Sequence, residues 1–211
     1  MKRLVILISG RGSNMQVLLE AALPAKISAV ISNEPLAPGL EIARRHGIGT
    51  QVVNHRQFRD RESFEFALGD ALAGHDPHLI VLAGFMRVLT HAFASRFAGK
   101  LINVHPSLLP AFPGMHTHRR ALEQGVRIHG CTVHFVTASL DGGPIIVQSG
   151  LAVLPDDTEQ TLAARVLREE HRVLPQAVRW FLDGQLRIDG NQVLIAGPCR
   201  YPAPISSPLP A

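Results

Sequence analysis

The chain has 211 residues, of which 46% are hydrophobic and 18% are charged. This length and composition allow one substantial core and predict a single domain. The formal net charge is +4, yet the lysines and arginines are scattered, with no basic run and no patch interleaved with aromatic residues. This distribution argues against nucleic-acid binding and favours local binding of small anions.

The N-terminal apolar run LVILIS is too short to span a membrane, and glycines follow it instead of a cleavage site. Two cysteines, Cys131 and Cys199, occur without CxxC spacing, so a disulfide scaffold is not expected and a reducing compartment is favoured. We therefore expect a soluble cytoplasmic protein, a monomer or homodimer, that does not bind membranes.

Strand-length apolar runs alternate with helical patterns in the first half of the chain. The runs VILIS, ISAVIS, QVV, LIVLAG and KLINV predict strands, and helical patterns cover residues 13–22, 39–46, 61–72 and 92–98. This alternation predicts an α/β fold with a Rossmann-like, mostly parallel sheet and helices on both faces.

The pattern changes in the second half. CTVHFV and IIVQSGLAV, separated by the turn-rich TASLDGGP, predict an antiparallel pair of strands. A long C-terminal helix should begin after Thr158 and end at Gly184. We assign residues 1–184 to one domain and residues 185–211 to a short extension with a Pro-rich tail, which we expect to be extended or disordered.

The first candidate site is GRGSN, which follows the first strand and precedes a helix. Free backbone N–H groups at such a turn bind anions, above all phosphate. The sequence is neither a dinucleotide fingerprint, since Met15 replaces its third glycine, nor a Walker loop. The alternative is an ordinary turn in which Ser13 or Asn14 caps the helix. The place at the carboxyl end of the first strand favours ligand binding.

The second candidate site is NVHPSLLP, where Asn103 and His105 lie two residues apart at a strand end and share a face. An amide and an imidazole both suit the tetrahedral intermediate of acyl transfer. No nucleophilic serine or cysteine motif is near, so attack by an amine of the substrate is the simplest reaction. The local sequence alone slightly favours a structural role, because strand-end polar residues commonly serve turns.

Asp141 and Glu170 are two further candidates. Asp141 lies in a tight loop, and a carboxylate near His105 would favour the imidazolium and hold its orientation. An Asp-Gly hairpin turn is the alternative. Glu170 falls on the apolar stripe of the predicted long helix, where it either contacts a substrate or lies at the edge of the stripe.

The eleven histidines raise the alternative of a metal site. His116, His118, His129 and His134 would be its ligands. Their spacing resembles no dedicated site and lacks a nearby cysteine or carboxylate pair, so we expect no metal.

Six motifs in order carry a resemblance: ISGRGSNMQ, LAGFMRVL, INVHPSLLP, GMHTHRRAL, HGCTVHFVTASLDGGPI and EEH. Together they resemble the phosphoribosylglycinamide formyltransferases, also called glycinamide ribonucleotide transformylases, over residues 2–184. The resemblance implies transfer of the formyl group of 10-formyltetrahydrofolate to the amine of N1-(5-phosphoribosyl)glycinamide, a step of de novo purine (IMP) biosynthesis. It implies a folate cosubstrate, no permanently bound cofactor and no metal.

The same resemblance implies roles for individual residues. Asn103, His105 and Asp141 would be catalytic. Binding of the ribonucleotide would fall to Gly12, Ser13, Asn14 and Glu170. The folate would contact Arg61, Met86, Arg87, Val88, Leu89, Asn103, Thr137, Ala138, Ser139, Leu140 and Asp141. Two departures from the family pattern are Arg11, where a small or amide residue is usual, and Leu167, where glutamine can occur.

Three alternatives remain. A formyltetrahydrofolate hydrolase would be expected to carry an N-terminal regulatory domain and a methionyl-tRNA formyltransferase a C-terminal RNA-binding domain, and we expect this chain to have room for neither. A noncatalytic folate- or phosphate-binding module would not need Asn103, His105 and Asp141 together.

Overall fold

The computed structural model describes residues 1–197, which fall into two compact units. The first comprises Met1–Asn103 and Phe135–Ser139, and the second comprises Val104–His134 and the residues from Leu140 onward. The Pro-rich tail, expected to be extended or disordered, falls mostly in residues 198–211, outside the described part of the chain. The proposed domain boundary at residue 184 stays a prediction.

The first unit is built on parallel strands. They are β1 (Lys2–Ile8), β2 (Ala25–Ser32), β3 (Thr50–Val52), β4 (Leu79–Leu82) and the first residues of β5 (Leu101–His105). They lie in the order β3-β2-β1-β4-β5, and every described pairing among them is parallel. The helices between them are α1 (Ser13–Glu20), α2 (Pro38–Arg45), α3 (Arg61–Ala73) and α4 (His91–Arg96), with a single 3-10 turn at His55–Gln57. The predicted α/β alternation is confirmed.

The core of this unit explains why its strands are continuous apolar runs. All four residues of β4 are buried, as are the last five of β1, because parallel strands are covered on both faces. Helix α3 contributes Phe64, Leu68 and Leu72 to the same core, at the four-residue spacing that puts side chains on one helix face. Burial of this stripe fixes α3 against the sheet.

The second unit contains the antiparallel part. Strands β6 (Ile128–Phe135) and β7 (Ile145–Ala152) pair antiparallel, and the long helix α6 (Glu159–Leu182) packs on β7. Thr158 caps α6 by accepting a hydrogen bond from the Thr161 N–H, and Gly184 follows its end at φ 72°. The predicted antiparallel pair and long C-terminal helix are confirmed.

Three elements of the second unit were not predicted from the sequence. They are helix α5 (Thr117–Glu123) and the strands β8 (Leu186–Asp189) and β9 (Gln192–Ile195). Strands β8 and β9 form an antiparallel hairpin, and β9 adds to β7 in parallel. All three elements are short and mix polar with apolar residues, so none produces a clear periodicity. Within residues 1–197, no helix has both the length and the apolar character needed to cross a bilayer.

Candidate active site

The GRGSN turn ends with uncapped N–H groups. Gly12 is the N-cap of α1 at φ 79°, and no side chain caps the helix. The alternative in which Ser13 or Asn14 caps α1 is therefore wrong: Ser13 is already helical, and Asn14 is buried at 7% exposure. A helix N-terminus without a side-chain cap keeps backbone donors for an anion. Arg11, the second residue of this turn, is exposed.

Gly12 is required by close packing as well as by its dihedral angle. A Cβ atom at this position would lie 2.8 Å from the Cα of Gly39, near the start of α2. No ordinary side chain tolerates both that contact and a left-handed φ. The turn is therefore held in one shape by the neighbouring helix.

A cavity of about 390 Å³ opens at the carboxyl ends of β1, β2 and β4. Its lining residues are Ser9, Asn33, Glu34, Leu36, Ala37, Pro38, His55, Met86 and Arg87. The Ser9 hydroxyl accepts a hydrogen bond of 2.7 Å from the Met86 N–H, which ties the segment after β4 to the end of β1. Ligands of open α/β sheets bind at such strand ends.

The predicted folate residues of the first unit fall into three places. Met86 and Val88 are exposed, whereas Leu89 packs against the core. Arg61 is exposed as the first residue of α3. Thr137, Ala138 and Ser139 lie in an exposed loop. Exposed apolar side chains such as Met86 and Val88 are what a flat aromatic ligand would cover.

Strand β5 carries both residues of the predicted pair, Asn103 and His105. Asn103 lies beside Leu82 of β4 in the parallel ladder and is half-buried, and His105 is the last residue of the strand and is buried at 6% exposure. After it, Ser107 N–H donates to the His105 carbonyl over 2.9 Å, which turns the chain out of the sheet. The expected strand-end placement of the pair is confirmed.

Both ring nitrogens of His105 face oxygen acceptors. Nε2 lies 3.0 Å from the carbonyl oxygen of Phe112, and Nδ1 lies 3.5 Å from Oδ2 of Asp141. A carbonyl oxygen can only accept, so the contact to Phe112 requires hydrogen on Nε2. The distance from Nδ1 to Asp141 is longer than that of a good hydrogen bond. Nδ1 can therefore form a hydrogen bond with another partner.

Asp141 is held in place by the backbone. Its Oδ2 accepts a hydrogen bond of 2.8 Å from the Gly114 N–H, and its own φ is 50°. Its other oxygen, Oδ1, lies 3.9 Å from Nε2 of the buried His134. The expectation that this carboxylate approaches His105 is confirmed. A left-handed, non-glycine residue at this point is the kind of strained backbone that accumulates at functional sites.

The four histidines of the metal alternative do not gather. His129 Nε2 lies 3.2 Å from His118 Nδ1, whereas His134 faces Asp141 and His116 is exposed. Among residues 1–197, no group of three or more histidine, cysteine, aspartate or glutamate side chains has the arrangement to hold a metal ion. Burial, with the charge of His118 added, lowers the pKa of His129 to about 4, and burial also lowers the pKa of His118.

Glu170 is buried on α6, with 7% of its surface exposed. The alternative in which it lies at the edge of the apolar stripe and extends into solvent is therefore wrong. The charge of Glu170 also acts on the thiol of Cys131. Burial, followed by the charges of Glu170 and Glu169, raises the pKa of Cys131 to about 12. A buried carboxylate is costly unless hydrogen bonds or an opposite charge compensate it. Leu167 is half-buried on the same helix.

The groups that hold His105 and Asp141 in place could not be recognised from the sequence. Phe112 and Gly114 supply the carbonyl and N–H groups that bind His105 and Asp141, and His134 adds a second imidazole beside Asp141. Backbone contacts across a loop have no side-chain signature in a sequence. His134 was considered only as a metal ligand, although its position on β6 before the Asp141 loop also favoured a contact with Asp141.

Comparison with known proteins identifies the class. The Formyl transferase family matches residues 2–178 of the chain. Phosphoribosylglycinamide formyltransferase from Escherichia coli (strain K12) is 46% identical over 198 residues, which cover 92% of this chain and 93% of that protein. The crystal structure of glycinamide ribonucleotide transformylase 1 from Symbiobacterium toebii matches with a TM-score of 0.90 and 44% identity, covering 92% of this chain and 94% of that one.

A formyltetrahydrofolate deformylase from Pseudomonas syringae pv. tomato str. DC3000 is less similar, with a TM-score of 0.86 and 28% identity, covering 92% of this chain and 65% of the deformylase chain. The fold and the site thus define an enzyme of the α/β formyl transferase class. Within that class, the chain belongs to the phosphoribosylglycinamide formyltransferase family.

Proposed function

We propose that the chain transfers the formyl group of 10-formyltetrahydrofolate to the amine of N1-(5-phosphoribosyl)glycinamide in purine biosynthesis, with Asn103, His105 and Asp141 at the reacting carbon. The observation that carries the assignment of residues is the 3.5 Å approach of Asp141 Oδ2 to His105 Nδ1 at the end of β5. The family relationship supports the substrates.

The reaction is a direct transfer. The amine lone pair attacks the formyl carbon, and the carbonyl electrons move to oxygen. When the carbonyl re-forms, the bond from carbon to the folate nitrogen breaks, that nitrogen takes a proton and the attacking nitrogen loses one. The side chain of Asn103 and the Nδ1–H of protonated His105 donate to the oxyanion, which is the step that preorganised donors accelerate most.

Asp141 supports the proton movements. Because the Gly114 N–H holds Oδ2, the carboxylate keeps its place during the transfer. The carboxylate accepts the proton that the ammonium of the attacked amine loses, directly or through water. The reaction forms no covalent enzyme intermediate and needs no metal.

The remaining predicted residues bind the two substrates. Gly12, Ser13 and Asn14 bind the phosphate at the uncapped start of α1, and Glu170 contacts the ribonucleotide. Arg61 and the segment Met86, Arg87, Val88 and Leu89 bind the folate together with Thr137, Ala138, Ser139 and Leu140. We place the enzyme in the cytoplasm as a monomer or homodimer whose partners are these small molecules.

The test follows the folate by absorbance with and without the ribonucleotide. The folate should lose its formyl group only when the ribonucleotide is present. The amount of formylated ribonucleotide formed should equal the amount of formyl group lost from the folate. Release of formate in water at the same rate would instead identify a deformylase, and binding without any formyl loss would identify a noncatalytic module. His105→Ala should abolish single-turnover transfer while folate affinity stays; a parallel fall in both would make His105 a binding residue.

A further inference from the structure

Ser107 is a fully buried serine two residues after His105, with 0% of its surface exposed. Its Oγ donates to the carbonyl oxygen of Ala111 over 2.6 Å and lies 3.1 Å from the carbonyl oxygen of Phe112. The Phe112 carbonyl is the acceptor for Nε2 of His105. One hydroxyl therefore reaches the two carbonyls that shape the loop beneath the imidazole.

Phe112 is the residue that most needs such support. Its φ is 54°, in the left-handed region that a bulky side chain avoids. Its ring packs edge-on against the ring of His129 at 5.8 Å between centroids, and the guanidinium of Arg120 lies 5.6 Å above it. It is in this left-handed conformation that the Phe112 carbonyl lies 3.0 Å from Nε2 of His105.

Ser107 is itself held by a second buried hydroxyl. Thr132 Oγ1 on β6 donates to the Ser107 carbonyl over 2.7 Å and accepts from the Leu109 N–H over 3.0 Å. Gln148 Nε2 on β7 then donates to Thr132 Oγ1 and to the Leu109 carbonyl. The loop after β5 is thus fastened to two antiparallel strands through side-chain hydrogen bonds.

We propose that Ser107 is a positioning residue for His105: its hydroxyl holds the Ala111–Phe112 backbone so that the Phe112 carbonyl takes the Nε2 hydrogen and Nδ1 is the nitrogen presented to the reacting groups. This inference rests on the proposed function for the role of His105. These hydrogen bonds determine which ring nitrogen of His105 is available to the reacting groups. An imidazole whose Nε2–H already donates to a carbonyl can act only through Nδ1.

The test compares Ser107→Ala with Ser107→Thr, which keeps the hydroxyl, in the full chain labelled with ¹⁵N-histidine. The His105 signals are assigned by their absence from His105→Gln. In the neutral imidazole of the wild type, Nε2 should carry a fixed hydrogen, and in the neutral imidazole of Ser107→Ala the hydrogen should be shared between the two nitrogens. Turnover should fall about tenfold to a hundredfold with both KM values within about twofold, and Ser107→Thr should recover part of it.

Unchanged His105 nitrogen signals in Ser107→Ala would overturn the proposal. Changed signals with unchanged turnover would support the positioning by Ser107 and refute the catalytic role of His105, so the two claims fail separately. If Ser107→Ala does not fold, Ser107→Cys serves in its place, because a thiol is similar in size and a much weaker donor. Ser149→Ala is the matched control, since this second buried serine bonds to Glu169 instead.

Discussion

Oδ2 of Asp141 lies 3.5 Å from Nδ1 of His105, and the Gly114 N–H holds the same oxygen. The pair joins two segments of the chain that are 36 residues apart, the end of β5 and the loop after β6. The imidazole is fixed at its other nitrogen by the Phe112 carbonyl, so the ring lies between that hydrogen bond and the carboxylate. Predictions about this centre follow from that arrangement.

Asp141→Asn removes the negative charge and keeps the shape, because an amide oxygen still accepts from Gly114. We expect turnover to fall on the order of a hundredfold to ten-thousandfold and the acid limb of the pH–rate profile to move. The profile of kcat against pH measures both. Asp156→Asn, an exposed carboxylate of the same unit, is the control. An unchanged profile would count against the pairing with His105.

Asn103→Ala removes one donor to the oxyanion. Turnover should fall on the order of a hundredfold to a thousandfold, which is the usual effect of losing one such donor. Folate affinity, measured by fluorescence titration, and the melting temperature should change little, because Asn103 is only half-buried. A variant with near-wild-type turnover would remove Asn103 from the mechanism.

Gly12→Ala should weaken binding of the ribonucleotide and leave folate binding intact. The new Cβ would lie 2.8 Å from the Gly39 Cα at a φ of 79°, so the uncapped start of α1 must shift. The left-handed conformation alone costs alanine about 1–2 kcal/mol of stability. Gly49→Ala, outside this turn, is the control, because the nearest atom to a Cβ there is the Ser28 carbonyl oxygen at 4.0 Å. Equal ribonucleotide affinities in the two variants would contradict the phosphate site.

His129 should make the fold sensitive to acid. Its pKa is about 4 in the folded chain against an ordinary value of 6.5, so between these values the unfolded chain binds a proton that the folded chain does not. The free energy of unfolding should therefore be constant from this source above pH 6.5 and fall as the pH drops toward about 4. Urea titrations across that range measure the fall.

His129→Gln should flatten this dependence, because glutamine does not titrate. His46→Gln, an exposed histidine, should leave it as steep as in the wild type. The same slope in all three proteins would show that His129 does not take part.

Cys131 should be inert in the folded chain. Its thiol is fully buried, and burial and the neighbouring carboxylates raise its pKa to about 12, so thiolate is scarce at neutral pH. In a Cys199→Ser variant, which leaves Cys131 as the single cysteine, a thiol reagent should label no group until denaturant is added. Rapid labelling of the native variant would contradict the burial of this thiol.

Much of the fold could be predicted from local pattern. Continuous apolar runs separated by helical spacing identified the parallel strands, because strands buried on both faces are made mostly of apolar residues. The turn-rich TASLDGGP segment identified the antiparallel pair, and the apolar stripe after Thr158 identified α6. Short elements with mixed composition, α5 and the β8–β9 hairpin, were missed because their stability comes from packing and pairing with neighbours.

Local sequence was enough to recognise the residues that could do chemistry: a glycine-rich turn after β1, an amide and an imidazole at the end of β5, and a carboxylate in the loop after β6. The tertiary structure alone decided that Asp141 reaches His105, that Phe112 takes its Nε2 hydrogen and that Glu170 is buried. The physical reason is that these contacts join residues distant in sequence, many through backbone groups that every residue carries, so only the folded chain brings the right donor to the right acceptor.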